Sequence, residues 1–299
     1  MNSLSEDLKL VKSSFTQFNE ITSRVLEYIP NVLDKENEYN DYIICSSNIA
    51  GTKKTIRPFR KSLFIRDPQT FKIKSQKFFE IITELKNGQK DFNADSYVIT
   101  DSVLYTIQQA IGIGLDLMVE PNSARKHVGN RFEELIRVIL KDMNISYKKV
   151  VLKIPYETDE GMKYYRCETD IIISPFETVR SNAQNLDPKE IIVSLKTTTK
   201  DRMPKIFIDK LLMEKFVGHP VKVVGISQND IQRKDDKEQA KISYTFVSNL
   251  FMVYTRFLTK LEGYYYLDPP ARSLERPFNQ YIFPFSKFLL NDLREMLGS

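Results

Sequence analysis

The sequence predicts an α/β (α+β) protein: a mixed sheet flanked by helices, with a mostly helical region ahead of it. Three observations predict this. Apolar residues near the N-terminus recur at helical spacing. Between residues 124 and 227, helix-like and strand-like segments follow one another in the order αβββαβ, which implies a sheet covered by helices. The composition, 299 residues that are 41% hydrophobic and 28% charged, is that of a chain able to bury a core of one large or two moderate domains.

Leu4, Leu8, Val11, Phe15, Phe18, Ile21, Val25 and Ile29 set the first amphipathic helix. Residues 78–85 read as a short helix and 96–119 as a longer, very apolar one. Pro121 breaks the chain, and we place a boundary there: residues 1–120 as the N-terminal region, 121–299 as the second domain with C-terminal helical additions. A helix at about 124–143 opens the second domain, with Ser123 as its expected N-cap. Strands are expected at 147–155, 164–174 and 190–197. A helix follows at 204–218, with Pro204 suited to its first turn, and then a strand at 221–227. After a charged loop come a strand near 242–247 and helices near 249–261 and 286–297.

What is scarce narrows the chemistry. Cys45 and Cys167 are the only cysteines and His127 and His219 the only histidines, so a disulfide framework and a four-ligand zinc site are not expected. No phosphate-binding G-x-x-x-x-G-K-[ST] loop occurs. No apolar run approaches the roughly eighteen residues of a membrane span, and the polar N-terminus is unlike a signal peptide. A reducing cytoplasm is therefore expected. The net charge of +5 is a weak pointer by itself. Local clustering says more: Lys53 to Lys77 holds nine Lys or Arg and one acid, Asp67. This stretch reads either as a solvated basic hairpin or as a phosphate-contacting arm in which Arg57, Arg60 and Lys61 face DNA.

Side chains alternate across a strand, so Glu168 and Asp170 share one face of 164–174, and Ser194 and Lys196 share one face of 190–197. If these strands pair, Asp170 and Lys196 come together at their ends. Spacing alone leaves two readings: a cross-strand salt bridge worth little, or a carboxylate for a metal and an ammonium for a phosphodiester. On the helix at 124–143, Val128, Phe132, Leu135, Ile136 and Ile139 form the buried stripe. Glu133 falls roughly 115° from its centre, on the rim beside Gly129, and Glu134 further round, where solvent is expected.

The segment 124–227 resembles the PD-(D/E)XK nuclease core, whose architecture is the same αβββαβ order. "ETD" at 168–170 resembles that family's first acidic motif, and Lys196 its lysine. The family usually has an acid two residues before the lysine; here that position is Ser194. Type II restriction endonucleases cutting CCGG, CCNGG and CCWGG sites show the same departure and take the acid from the following helix. Asp209, about thirteen residues past Lys196, occupies that place. "KTTTKDR" at 196–202 resembles the K-[ST]-x-x-R-[ED]-R stretch of the same subgroup, with Lys200 where Arg is usual.

The resemblance implies a Mg²⁺-dependent type II restriction endonuclease acting on double-stranded DNA as a homodimer in a bacterial or archaeal cytoplasm, without a membrane. Asp170, Lys196, Glu133 and Asp209 would be its catalytic set. Asp170, Glu133, Asp209 and, less centrally, Glu168 would hold the metal. Lys200 and Arg202 would donate to guanine and Asp201 would accept from cytosine. Two rivals stay open: a repair or junction nuclease of the same fold that selects DNA shape, and a non-catalytic DNA-binding protein on a decayed nuclease fold.

Overall fold

The computed structural model describes residues 2–49, 51–200, 202–234 and 241–298. The chain packs into two units, Met1–Ile139 with Gln228–Thr245, and Leu140–Ser227 with Phe246–Ser299.

The first unit opens with two helices where the apolar spacing predicts one, α1 (Leu4–Lys9) and α2 (Phe15–Tyr28). Both have good starts: Ser3 and Glu6 form a capping box, and Ser14 accepts from the Gln17 N–H, which is what a hydroxyl at N-cap does for orphan donors. Four antiparallel strands follow that the periodicity does not announce: β1 (Leu33–Tyr39), β2 (Tyr42–Ile49), β3 (Thr52–Thr55) and β4 (Phe59–Arg60). The β1–β2 turn places Asn40 at φ 56°, a left-handed conformation that asparagine tolerates. The region expected to be mostly helical thus also carries a sheet, and the basic stretch 53–77 is neither hairpin nor free arm. It runs through β3 and β4 into α3 (Pro68–Lys86), whose start is fixed by Asp67 accepting from the Thr70 N–H at 2.7 Å. The long apolar helix is α4 (Ala94–Met118), buried on almost every side. The next is α5 (Pro121–Asp142).

The second unit is built on a six-stranded sheet. Its strands are β5 (Ser146–Lys148), β8 (Ile171–Ser174), β9 (Ile191–Lys196), β10 (Lys222–Ser227), β13 (Gly263–Tyr266) and β14 (Ile282–Pro284), in the spatial order β14-β13-β10-β9-β8-β5. The pairs β5–β8 and β8–β9 are antiparallel, and β9–β10, β10–β13 and β13–β14 are parallel. A mixed sheet flanked by helices is therefore present, as expected. The three strands expected between its helices are five, because two are broken. One yields β5 and β6 (Val151–Thr158); the other yields β7 (Gly161–Glu168) and β8, parted at Thr169–Asp170. β6 and β7 form a separate two-stranded ribbon.

One face of the large sheet, through Ile172, Ile192, Val223, Tyr264 and Ile282, packs on Met203, Ile206, Phe207 and Met213 of α6 (Met203–Val217) and on Phe251 of α7 (Ser248–Phe257). Tyr264 lies so close over β10 that a Cβ at Gly225 would meet its ring at 2.5 Å. Only glycine fits there. The strands β11 (Ile231–Lys234) and β12 (Lys241–Tyr244) pair antiparallel within the first unit. Residues 285–297 close the chain as helical turns. No helix among the described residues is long and apolar enough to cross a membrane.

Candidate active site

The break between β7 and β8 builds the site. Thr169 is buried, and it replaces the missing ladder partner: its N–H and its hydroxyl both donate to the Val150 carbonyl, at 3.0 and 2.8 Å, and its Oγ accepts from the Val150 N–H at 3.1 Å. The next residue, Asp170, turns out of the strand path while β8 continues in register with β9, Ile171 opposite Val193. One oxygen, Oδ2, then accepts from Lys196 Nζ at 2.7 Å, from the Leu195 N–H at 2.7 Å and from Ser194 Oγ at 3.5 Å. Lys196 Nζ also donates to the Leu195 carbonyl at 3.0 Å. Asp170 and Lys196 are 22% and 18% exposed, enough to meet a ligand while too buried to wander.

Lys196 and Ser194 lie on the same face of β9 as Ile192, the face that packs on α6. This brings Asp209 of α6 to the same pocket, a cavity of about 180 Å³ lined by Glu168, Asp170, Ser194, Lys196, Lys205 and Asp209 among others. Lys205 donates to both oxygens of Asp209 at 2.7 Å. Burial opposes the charge on Lys205, but Asp209, with Tyr165 and Cys167, outweighs it and raises Lys205 above its ordinary value. Burial, seconded by Asp209, pushes the Cys167 thiol up to about 11, so it is an inert thiol at neutral pH.

Two residues that no motif singles out hold this frame. Lys210, 5% exposed, anchors α6 by donating to both oxygens of Glu262 at 3.0 Å and to the Lys260 carbonyl at 2.6 Å. Glu190, also buried, accepts from the Arg180 and Ser181 N–H groups at 2.7 and 2.9 Å, tying the 175–189 connection to the start of β9. A buried charge needs such partners, but their identity is decided by residues far along the chain.

The other sequence-predicted residues fall as follows. Glu168 is exposed and meets Lys149 at 3.6 Å. Lys200 and Arg202 are exposed in the turn that enters α6, where the Arg202 N–H donates to the Thr199 carbonyl at 2.7 Å; Asp201 lies outside the described residues. Glu133, in the first unit, accepts from Arg137 at 2.6 Å, and Gly129 beside it faces open space. Glu134 is not solvated as expected. It is 12% exposed, accepting from the buried Arg131 at 2.6 Å and from the Lys12 N–H at 2.8 Å, because the N-terminal segment covers that face. Arg57 forks onto Asp116 at 2.9 and 3.0 Å. Arg60 lies over the Tyr42 ring, 5.0 Å from its centroid, and Lys61 pairs with Glu38 at 3.0 Å. The larger cavity, about 760 Å³ between α2 and α3, is lined by Glu20, Glu27 and Asp67 against a single lysine, Lys72. That charge is wrong for a phosphodiester.

No protein-family model matches the chain, and no curated protein matches it in sequence. Among solved structures it is similar to the crystal structure of the Type IIP restriction endonuclease Kpn2I, with a TM-score of 0.69 and 18% sequence identity over 95% of this chain and 91% of that chain. The fold is of restriction-endonuclease type. A complex of the restriction endonuclease PspGI with substrate DNA is more distantly similar, with a TM-score of 0.41 and 14% identity over 75% of this chain and 92% of that one.

Proposed function

We propose that this protein is a Mg²⁺-dependent, sequence-specific endonuclease of double-stranded DNA on a PD-(D/E)XK core, a type II restriction endonuclease. The observation that carries the proposal is the Asp170–Lys196 pair, held at 2.7 Å on the rim of a pocket that also receives Asp209. The donor chemistry fits the metal. Mg²⁺ takes hard oxygen ligands, keeps several waters and is bound through one or two carboxylates plus substrate phosphate, and Asp170 and Asp209 supply two carboxylates. Among the described residues no three His, Cys, Asp or Glu form a ready-made ligand group. In this arrangement each carboxylate is instead paired with a lysine.

When bound, the cation supplies charge neutralisation for the scissile phosphate and a more acidic water. Asp170 fixes Lys196 and is fixed in turn by the Leu195 N–H. The Lys196 ammonium is then placed to orient the attacking water and to stabilise charge developing on the phosphorus centre. Asp209 is proposed as the second carboxylate, standing where Ser194 leaves β9 without one. Lys200, Asp201 and Arg202 are proposed to read base edges, and a palindromic site implies a symmetric dimer.

The test is incubation of the purified protein with phage-length duplex DNA in Mg²⁺, beside Asp170→Asn and Lys196→Ala. Discrete fragments from wild type, with either variant slower by more than about 100-fold, are expected. Intact DNA with wild type in every metal tried would sink the nuclease reading, and cleavage of branched DNA alone would replace sequence with shape as the target.

A further inference from the structure

The β6–β7 ribbon is paired along its whole length, from Val151 opposite Glu168 to Thr158 opposite Gly161. It is exposed along most of that length. Gly161 to Arg166 are all open to solvent, and the ribbon is buried only at its base, at Leu152 and Cys167. Residues directly opposite in such a pair share a face. One face carries Ile154 with Tyr165 and Tyr156 with Lys163, and continues the core outward. The other carries Val151 opposite Glu168 at the base, then Lys153 opposite Arg166, Pro155 opposite Tyr164 and, at the tip, Glu157 opposite Met162.

Like charges directly opposite destabilise a sheet, and here no ion pair to either cation relieves them. Among the described residues neither Lys153 nor Arg166 makes an ion pair; the nearby acids go elsewhere, Glu168 to Lys149 and Glu160 to Lys163. A local rule broken without compensation inside the fold marks a place where function is served. Two juxtaposed cations call for an anion between them. Tyr164, 58% exposed beside them, adds a hydroxyl donor and an aromatic face. Arg166 stands four residues before Asp170, at most roughly 13 Å of chain, so its reach falls within the rise of about four nucleotides along one strand.

Resting on the DNA reading above, we infer that this face of the ribbon is a backbone clamp, in which Lys153 and Arg166 jointly hold a phosphate a few nucleotides from the one to be cut. Such a contact positions the duplex and carries no sequence information.

The test is a salt titration of DNA binding by the full chain, read by fluorescence anisotropy with Ca²⁺ replacing Mg²⁺. It compares wild type with the Lys153→Ala/Arg166→Ala double variant and with Lys153→Glu, on two duplexes of unrelated sequence. The double variant is expected to bind about 10- to 100-fold more weakly on both duplexes, with a log–log salt slope shallower by about 2, and to melt no lower than wild type. An unchanged affinity and slope would overturn the clamp while leaving the DNA reading intact. A change in oligomeric state in place of DNA affinity would overturn it too, in favour of a second copy of the chain as the ribbon's occupant. Wild type that binds neither duplex at any salt would remove both readings.

Discussion

Two cation-bearing segments of the molecule are opposite in character. Lys53 to Lys77 has nine cations and one acid, whereas the β6–β7 ribbon has three cations, Lys153, Lys163 and Arg166, and four acids. Density in the sequence favours the first as the anion-binding surface; geometry favours the second. In the first, Arg57 is forked onto Asp116, Arg66 onto Glu36, Lys61 meets Glu38, and Lys54 donates to the Leu117 carbonyl at 2.7 Å. Glu36 and Glu38 sit on β1, which the sheet brings alongside. In the ribbon, two cations face each other, and the acid beside them on that face, Glu168, meets Lys149 in place of either. Charge counted along a chain is not charge available to a ligand.

The largest test of this contrast is Arg57→Ala. Removing the guanidinium leaves Asp116, only 10% exposed, without its bidentate partner, and leaves a hollow over Gly112, where a Cβ would otherwise meet the Arg57 side chain at 2.3 Å. Breaking one side of such a pair costs about 3 kcal/mol, partly offset by Arg233, 3.9 Å from the same carboxylate. Denaturant unfolding is expected to show that loss, with DNA affinity of the folded protein unchanged. Loss of affinity at full stability would reverse the roles of the two segments.

The same contrast explains what the sequence disclosed. β8 and β9 are legible because "IIIS" and "IIVSLK" are continuous apolar runs, the pattern of strands covered on both faces. The Asp170–Lys196 meeting was legible too, since alternation places Lys196 and Ser194 on one face and strand pairing does the rest. β1 was not, because "LDKENEY" is an exposed strand with no apolar alternation, and its pairing is set by β2; the Asn40–Asp41 turn was the one local signal. Nor was the break at Thr169. Alternation through 164–174 keeps Glu168 beside Asp170, but Thr169 bonds back to Val150 and lets β7 leave the sheet. The Lys210–Glu262 anchor spans 52 residues and leaves no local trace at all.

A smaller effect is expected from Lys153→Glu, read as stability in place of binding. The change converts a like-charge cross-strand pair into an opposite-charge one with Arg166, a gain of about 0.5 kcal/mol. The urea midpoint should rise slightly as DNA affinity falls, a combination that mere damage to the ribbon does not produce. In the other segment, Lys61→Ala removes a pair whose partners are 58% and 57% exposed. Such pairs contribute roughly 0–1 kcal/mol, so a midpoint near that of wild type is expected.

The smallest effect probes cations of the first unit that are not fully neutralised. His127 has its Nδ1 buried without a hydrogen-bond partner among the described residues. Burial first, then the positive charges of Arg131, Lys9 and Lys126, holds its pKa below the ordinary 6.5. The unfolded chain therefore binds this proton more readily than the folded one. Stability from keeping His127 neutral is present above about 6.5 and is lost as pH falls through the lower folded value. His127→Gln deletes the titration while keeping a polar side chain of similar reach. Urea midpoints measured above and well below that pH should fall less in the variant than in wild type. Equal falls in the two proteins would show that Glu134, already bonded to Arg131, shields the imidazole from its cationic neighbours.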